Sequence, residues 1–217
     1  MQLNYWNDSW PLDVSECPCD VQFLEYLSKR EIGNKVIFHF GTGEHHIMGK
    51  ANLEMATPNE IFAITASRQE YETYIKFIID NPAAARYYKV IFGDIYTLTP
   101  RIIPNFDLVT LFHLCEFYDE KKSSYAQLND SSLLDLFITK LKPGGKMVFY
   151  KKSSHFNKAR VIIRTFTDEQ KLTREDQYKT LLVYGRGAKA GRRPRDRTPS
   201  AKANSGQKRR GSAWQAG

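Results

Sequence analysis

No apolar run in this 217-residue chain approaches the roughly 20 residues that a membrane-spanning helix needs, so no membrane insertion is expected. The opening MQLNYWNDSWPLD lacks a basic segment followed by an apolar one, so no secretory leader is expected and a cytoplasmic location follows. Cysteine is scarce. Cys17, Cys19 and Cys115 are an odd set, too few for a disulfide framework and in keeping with a reducing compartment. Cys17 and Cys19 form a CPC triplet, tighter than the usual zinc-binding pairs, so no metal site is expected from them.

Charge excess is also missing from most of the chain. The formal net charge is +8. From Arg186 onward there are ten basic residues against the single acid Asp196, a net of +9, while the rest holds 22 basic and 23 acidic residues. That last stretch is rich in Gly, Ala, Ser, Pro and Arg, and Trp214 is its one large apolar residue. It cannot bury enough surface to offset the entropy of ordering, so residues 187–217 are expected to be a disordered basic tail. Such a tail contacts nucleic acid nonspecifically, through counterion release. Ahead of it, residues 1–19 read as an N-terminal extension and residues 20–186 as one domain.

What is present is a series of short apolar runs: KVIFHF at 35–40, EIFAIT at 60–65, YKVIF at 88–92, FDLVTLF at 106–112 and GKMVFY at 145–150. Each is apolar on both faces, as strands of a parallel sheet covered on both sides must be. Helical stripes separate them. Tyr71, Tyr74, Ile75 and Ile78 fall at i, i+3, i+4 and i+7 within 67–80. A second helix starts at Asp130 or Ser131, runs through Leu133, Leu136, Phe137 and Leu141, and stops at Pro143-Gly144-Gly145. Phe23, Tyr26 and Leu27 predict a helix before the first strand, ARVIIRTF at 159–166 suits helix or strand, and QYKTLLVYGR at 177–186 predicts a final strand. The order predicts an α/β fold, a Rossmann-like, doubly wound, mostly parallel sheet of about seven strands. Ligands of such sheets sit beyond the carboxyl ends of the strands, beside the first one, where Gly41-Thr42-Gly43 lies.

These segments together resemble the class I S-adenosylmethionine-dependent methyltransferases. VIFHFGTGEHH is similar to their first motif, YKVIFGDIYTL to the aspartate-bearing third, NFDLVTLFHLCEF to the fourth, and LKPGGKMVFY to the loop and strand that follow. The resemblance implies S-adenosylmethionine as cofactor, Gly41 and Gly43 against its methionine end, and Asp94 holding the adenine. It implies methyl transfer to an unknown acceptor, with a small molecule favoured. His113, at the end of the fourth strand, is then the candidate catalytic base, with a polar strand-end role as the alternative; Glu116 is a weaker candidate for the same task.

Three positions depart from the family pattern. Ile37 stands where an acid is usual, His39 where a glycine is usual, and Thr65 where the ribose-binding acid ends the second strand. The alternative is therefore a non-catalytic member of the fold, with an eroded cofactor site, that serves as a binding or scaffold protein. A third reading, an NADP-dependent reductase, draws on Thr65, Ser67 and Arg68 and on the pair Tyr118 and Lys122. It lacks the third glycine at the needed spacing.

Overall fold

The computed structural model describes residues 5–120 and 124–190. The expected basic tail lies outside the described residues from position 191 onward, as does Lys122. No helix among the described residues is long and apolar enough to cross a membrane.

Seven strands form one sheet in the order β3-β2-β1-β4-β5-β7-β6. They are β1 (Val36–Phe40), β2 (Glu60–Thr65), β3 (Tyr88–Phe92), β4 (Phe106–Thr110), β5 (Leu141–Tyr150), β6 (Leu172–Tyr178) and β7 (Leu181–Arg186). The first five run parallel, and β7 runs antiparallel to both of its neighbours. The fold class read from the sequence holds, and the chain reverses its direction of travel across the sheet between β1 and β4.

The alternation along each strand feeds two separate cores. Phe38, Val109, Met147 and Phe149 face α5 (Asp130–Lys140) and α6 (Phe156–Asp168). Ile37, Ile61, Leu108 and Val148 face the other way, into a core with α1 (Cys19–Lys29), α2 (Ile47–Leu53), α3 (Arg68–Asp80) and α4 (Ala84–Tyr87). α1 buries Cys19, Asp20, Phe23, Tyr26 and Leu27, a helical stripe that covers the first core-facing residues of the sheet. α3 starts where Ser67 accepts a hydrogen bond from the Glu70 N–H, and α5 starts at a reciprocal cap between Asn129 and Ser132, one residue before the expected position.

Three local readings are corrected or resolved. The segment 159–166 is helical, part of α6. α5 ends at Lys140, and Leu141 already pairs with Phe106, so LKPGG is the bulged opening of β5, with Gly144 at φ +74°. The single final strand is a hairpin, β6 and β7, turned at Lys179 with φ +50°. β6 escaped notice because LTREDQY is polar, which suits an edge strand that must not recruit another chain.

Behind the sheet ends, α2 packs its glycine onto an aromatic ring. A Cβ on Gly49 would lie 2.4 Å from Tyr88 Cδ1, and Tyr88 is fully buried. Gly49→Ala is therefore expected to destabilise the protein by about 1–3 kcal/mol through overpacking, where helix propensity alone would give a gain of about 1 kcal/mol. Urea unfolding decides the sign.

His46 holds the same corner. In the neutral imidazole Nδ1 accepts from the Tyr88 hydroxyl at 3.1 Å, and Nε2–H donates to the Glu70 carbonyl at 3.0 Å. Burial drives its pKa down to about 4. Its folded pKa lies below the unfolded value of about 6.5, so its stabilisation is complete above that pH and is lost as pH falls toward 4. The stability gap between the wild type and His46→Gln is expected to narrow by about 2 kcal/mol between pH 7 and pH 5. A gap that stays constant in urea melts would show that His46 is protonated without penalty.

Candidate functional site

A cavity of about 340 Å³ opens at the carboxyl ends of β1, β2, β3 and β4, beside the reversal between β1 and β4. Its floor is the loop after β1. Gly41 and Gly43 both take positive φ, +84° and +55°, the region that favours glycine. A Cβ on Gly41 would meet only His113 Cδ2, at 3.8 Å, so the backbone there is open to a ligand. At Gly43 the space is already taken, since a Cβ would lie 2.2 Å from His45 Nε2 and 2.9 Å from the Trp10 carbonyl.

The far wall is Asp94, which follows β3 and is 2% exposed. One carboxylate oxygen accepts from the Tyr96 N–H at 2.9 Å, and the other accepts from the Tyr125 hydroxyl. Asp94 is thus fixed at the cavity edge as an acceptor with lone pairs to spare.

The near wall is the segment expected to be an extension. Trp6 N–H donates to the Ala66 carbonyl at 2.9 Å, Arg68 N–H to the Trp6 carbonyl at 3.1 Å, and Glu44 N–H to the Trp10 carbonyl at 3.0 Å. Trp6, Trp10 and Phe117 meet edge to face, with ring centroids 5.9 to 6.4 Å apart. Residues 6–17 therefore form a strap across the mouth of the cavity. Nothing in the sequence marked it, because backbone hydrogen bonds and isolated aromatic contacts leave no periodic pattern.

Two buried carboxylates that sequence reasoning missed also line the cavity: Asp20 and Glu70. Glu70 accepts from Thr42 Oγ1 at 3.0 Å and from Thr65 Oγ1 at 2.6 Å. The backbone N–H groups of Trp10 and Thr42 face it and favour its charged form. Burial raises its pKa, against these hydrogen bonds. The residue is legible only in hindsight: Ser67-x-x-Glu70 is the pattern of a reciprocal helix cap, but here the glutamate side chain turns into the cavity. Asp20 comes from the first turn of α1, with its pKa pushed up to about 6 by burial. Its oxygens lie 3.7 Å from His39 Nε2 and 3.9 Å from His45 Nε2.

The expected departures look different in this setting. Ile37 is fully buried in the core and does not line the cavity. His39 is also buried, its Nδ1 paired with Thr110 Oγ1 at 2.9 Å, and its Nε2 is a buried nitrogen with no hydrogen-bond partner. Thr65 does line the cavity, but as a donor to Glu70. Tyr118, from the reductase pair, packs its ring on Tyr96 at 5.1 Å.

His113 faces the cavity, where the sequence placed it, but in company the sequence did not reveal. Its Nδ1 lies 3.0 Å from Glu116 Oε2, and Nε2 faces the thiols of Cys17 and Cys19, whose sulfurs are 3.3 Å apart. Burial opposes protonation of this imidazole, yet its hydrogen bonds to Cys17 and Glu116 outweigh it and hold the pKa up at about 10. Cys17 is pulled down to about 4, chiefly by the hydrogen bond from the Cys19 thiol and then by His113. Glu116 sits at about 2, held down against its burial by His113. These hydrogen bonds favour the protonated form of the imidazole.

Neither a protein-family model nor a curated protein sequence matches the chain. Solved structures do match. The precorrin-6y C5,15-methyltransferase of Geobacter metallireducens is similar over 82% of this chain and 94% of its own, with a TM-score of 0.54 at 13% identity. The magnesium protoporphyrin IX methyltransferase of Synechocystis, solved with bound SAM, is similar over 85% of this chain and 88% of its own, with a TM-score of 0.53 at 11% identity. The chain has the class I methyltransferase fold. Asp20 and Glu70 bring carboxylates to the cavity from the first turns of α1 and α3.

Glu70 ties together the β1 loop and the end of β2 and faces the strap at Trp10. Glu70→Ala leaves the buried Thr42 and Thr65 hydroxyls without their acceptor and is expected to lower stability by about 1–3 kcal/mol. It is also expected to speed amide exchange at Trp10 and Thr42, with Glu70→Gln intermediate in both measures. Unchanged exchange at Trp10 would mean that the strap is held independently of this carboxylate.

Proposed function

We propose that the cavity binds S-adenosylmethionine and that the protein transfers its methyl group to an acceptor, favouring a small molecule. The observation that carries this reading is the lining of the cavity: an open glycine backbone after β1, an anchored acceptor after β3, and two buried carboxylates from α1 and α3. The residues fit the cofactor. The volume is in the range of small-molecule sites. Gly41 admits close approach, Asp94 offers an acceptor to the adenine amino group, and Thr65 with Glu70 offers oxygens to the ribose. Asp20 and Glu70 give an environment suited to the positive sulfonium and ammonium groups.

When bound, the cofactor would supply an electrophilic methyl group, passed to the acceptor by in-line displacement with the neutral thioether as leaving group, a transfer that needs positioning more than acid or base assistance. The strap, with Trp6 and Trp10 at the mouth, limits the entry of water and of large acceptors. Where the nucleophile must lose a proton, His113, backed by Glu116, and the buried Asp20 are the titratable groups at the cavity able to take it.

The test is thermal unfolding of the full chain with S-adenosylmethionine, S-adenosylhomocysteine or NADPH. A ligand at 100 times its dissociation constant stabilises by about 2.7 kcal/mol, so a rise of several degrees with the first two is expected. Asp94→Ala is expected to abolish that rise. No response to any of the three would favour the scaffold reading, and a response to NADPH alone would favour the reductase.

A further inference from the structure

We propose that Cys17, Cys19 and His113 form a zinc site with an exchangeable position, built into the wall of the cavity. The three donor atoms lie within 4.8 Å of one another, with 3.3 Å between the sulfurs and 4.0 Å between Cys19 Sγ and His113 Nε2. A tetrahedral zinc ion with bonds of about 2.3 Å to sulfur and about 2.0 Å to nitrogen needs donor separations of about 3.5–3.8 Å. The sulfur pair must open, and the Cys19–His113 pair close, by about half an ångström each to reach that geometry, within the reach of side-chain rotation.

The fold assembles the donors from distant parts of the chain. Cys17 ends the strap, where its N–H is fixed by the Asp13 carbonyl at 2.8 Å, Pro18 turns the chain, and Cys19 is the first residue of α1. His113 arrives from beyond β4, 94 residues later. The CPC spacing that argued against a metal concerned a pair of cysteines alone, and the third donor is visible only in three dimensions.

Two further features fit a metal site. The other ring nitrogen of His113 is held by Glu116 at 3.0 Å, and Glu116 is itself held by the Ser153 hydroxyl. A carboxylate behind a ligating histidine fixes its orientation and strengthens it as a ligand. In addition, Asp20 Oδ1 lies 3.7 Å from Cys19 Sγ and 3.7 Å from the unpartnered His39 Nε2, so the buried polar region extends beyond the three donors.

The donor chemistry selects the ion. Two thiolates and an imidazole suit zinc, whereas magnesium and calcium require oxygen ligands. Structural zinc takes four protein ligands; three ligands that line a cavity leave a position for water or for a donor atom of whatever enters. This site does not depend on the methyltransferase reading.

The full-length chain, reduced and stripped with a chelator, is titrated with cobalt(II) and then with zinc in the absence of S-adenosylmethionine. A single cobalt per chain with a thiolate-to-metal charge-transfer band, displaced by zinc, is expected. Cys17→Ser and Cys19→Ser each weaken that band, Cys115→Ser leaves it intact, and zinc shields Cys17 from alkylation. Glu116→Gln is expected to lower zinc affinity about 10- to 100-fold while keeping the band, which separates loss of orientation from loss of a ligand. The proposal fails if reduced wild type shows no charge-transfer band, or if the band survives the Cys17→Ser/Cys19→Ser double substitution. The first of these outcomes is read on wild-type protein alone, so a variant that does not fold cannot obscure it. A chain that takes up cobalt but ignores S-adenosylmethionine would sustain this inference and overturn the other.

Discussion

Everything in this molecule follows from a mostly parallel sheet covered on both faces. Its backbone groups are paired between strands and its side chains are buried above and below, so the ends of the strands are where chemistry can reach a ligand. The reversal between β1 and β4 separates two outgoing connections and leaves a crevice there. The crevice would be costly if its polar groups were left unpaired, and the Thr42, Glu70 and Thr65 cluster meets that constraint at the point where β1, β2 and α3 converge.

The strands were legible because each is a short, doubly apolar run, and EIFAIT and YKVIF coincide with β2 and β3 to the residue. β6 was not legible: its edge position rewards polar residues, so it carries no burial signal. Gly41, Gly43 and Asp94 line the cavity because the ends of β1 and β3 fix where they lie. Asp20 and Glu70 were missed for the converse reason. A carboxylate in the first turn of a helix reads as a response to the helix dipole, and its sequence position does not reveal whether the side chain caps the helix or turns into a cavity.

The absence of acids at Ile37 and Thr65 suggests erosion only if a site is defined by strand positions. A ligand responds to charge and hydrogen-bond geometry, and these can be delivered from a neighbouring helix terminus. With Ile37 in the core, its apolar identity serves packing against α1, while Asp20 on that same helix brings the charge to the cavity.

The strap completes this redistribution. Its hydrogen bonds reach the β1 loop and the start of α3, and its far end delivers Cys17 to His113. Closing the mouth and assembling the sulfur and nitrogen cluster are therefore one structural event. A group that binds Cys17, Cys19 and His113 would anchor the strap at its carboxyl end, just as the Glu44 N–H anchors it at Trp10. Displacement of such a group would loosen the wall of the cavity, which couples occupancy of the cluster to access by anything that binds between Gly41 and Asp94.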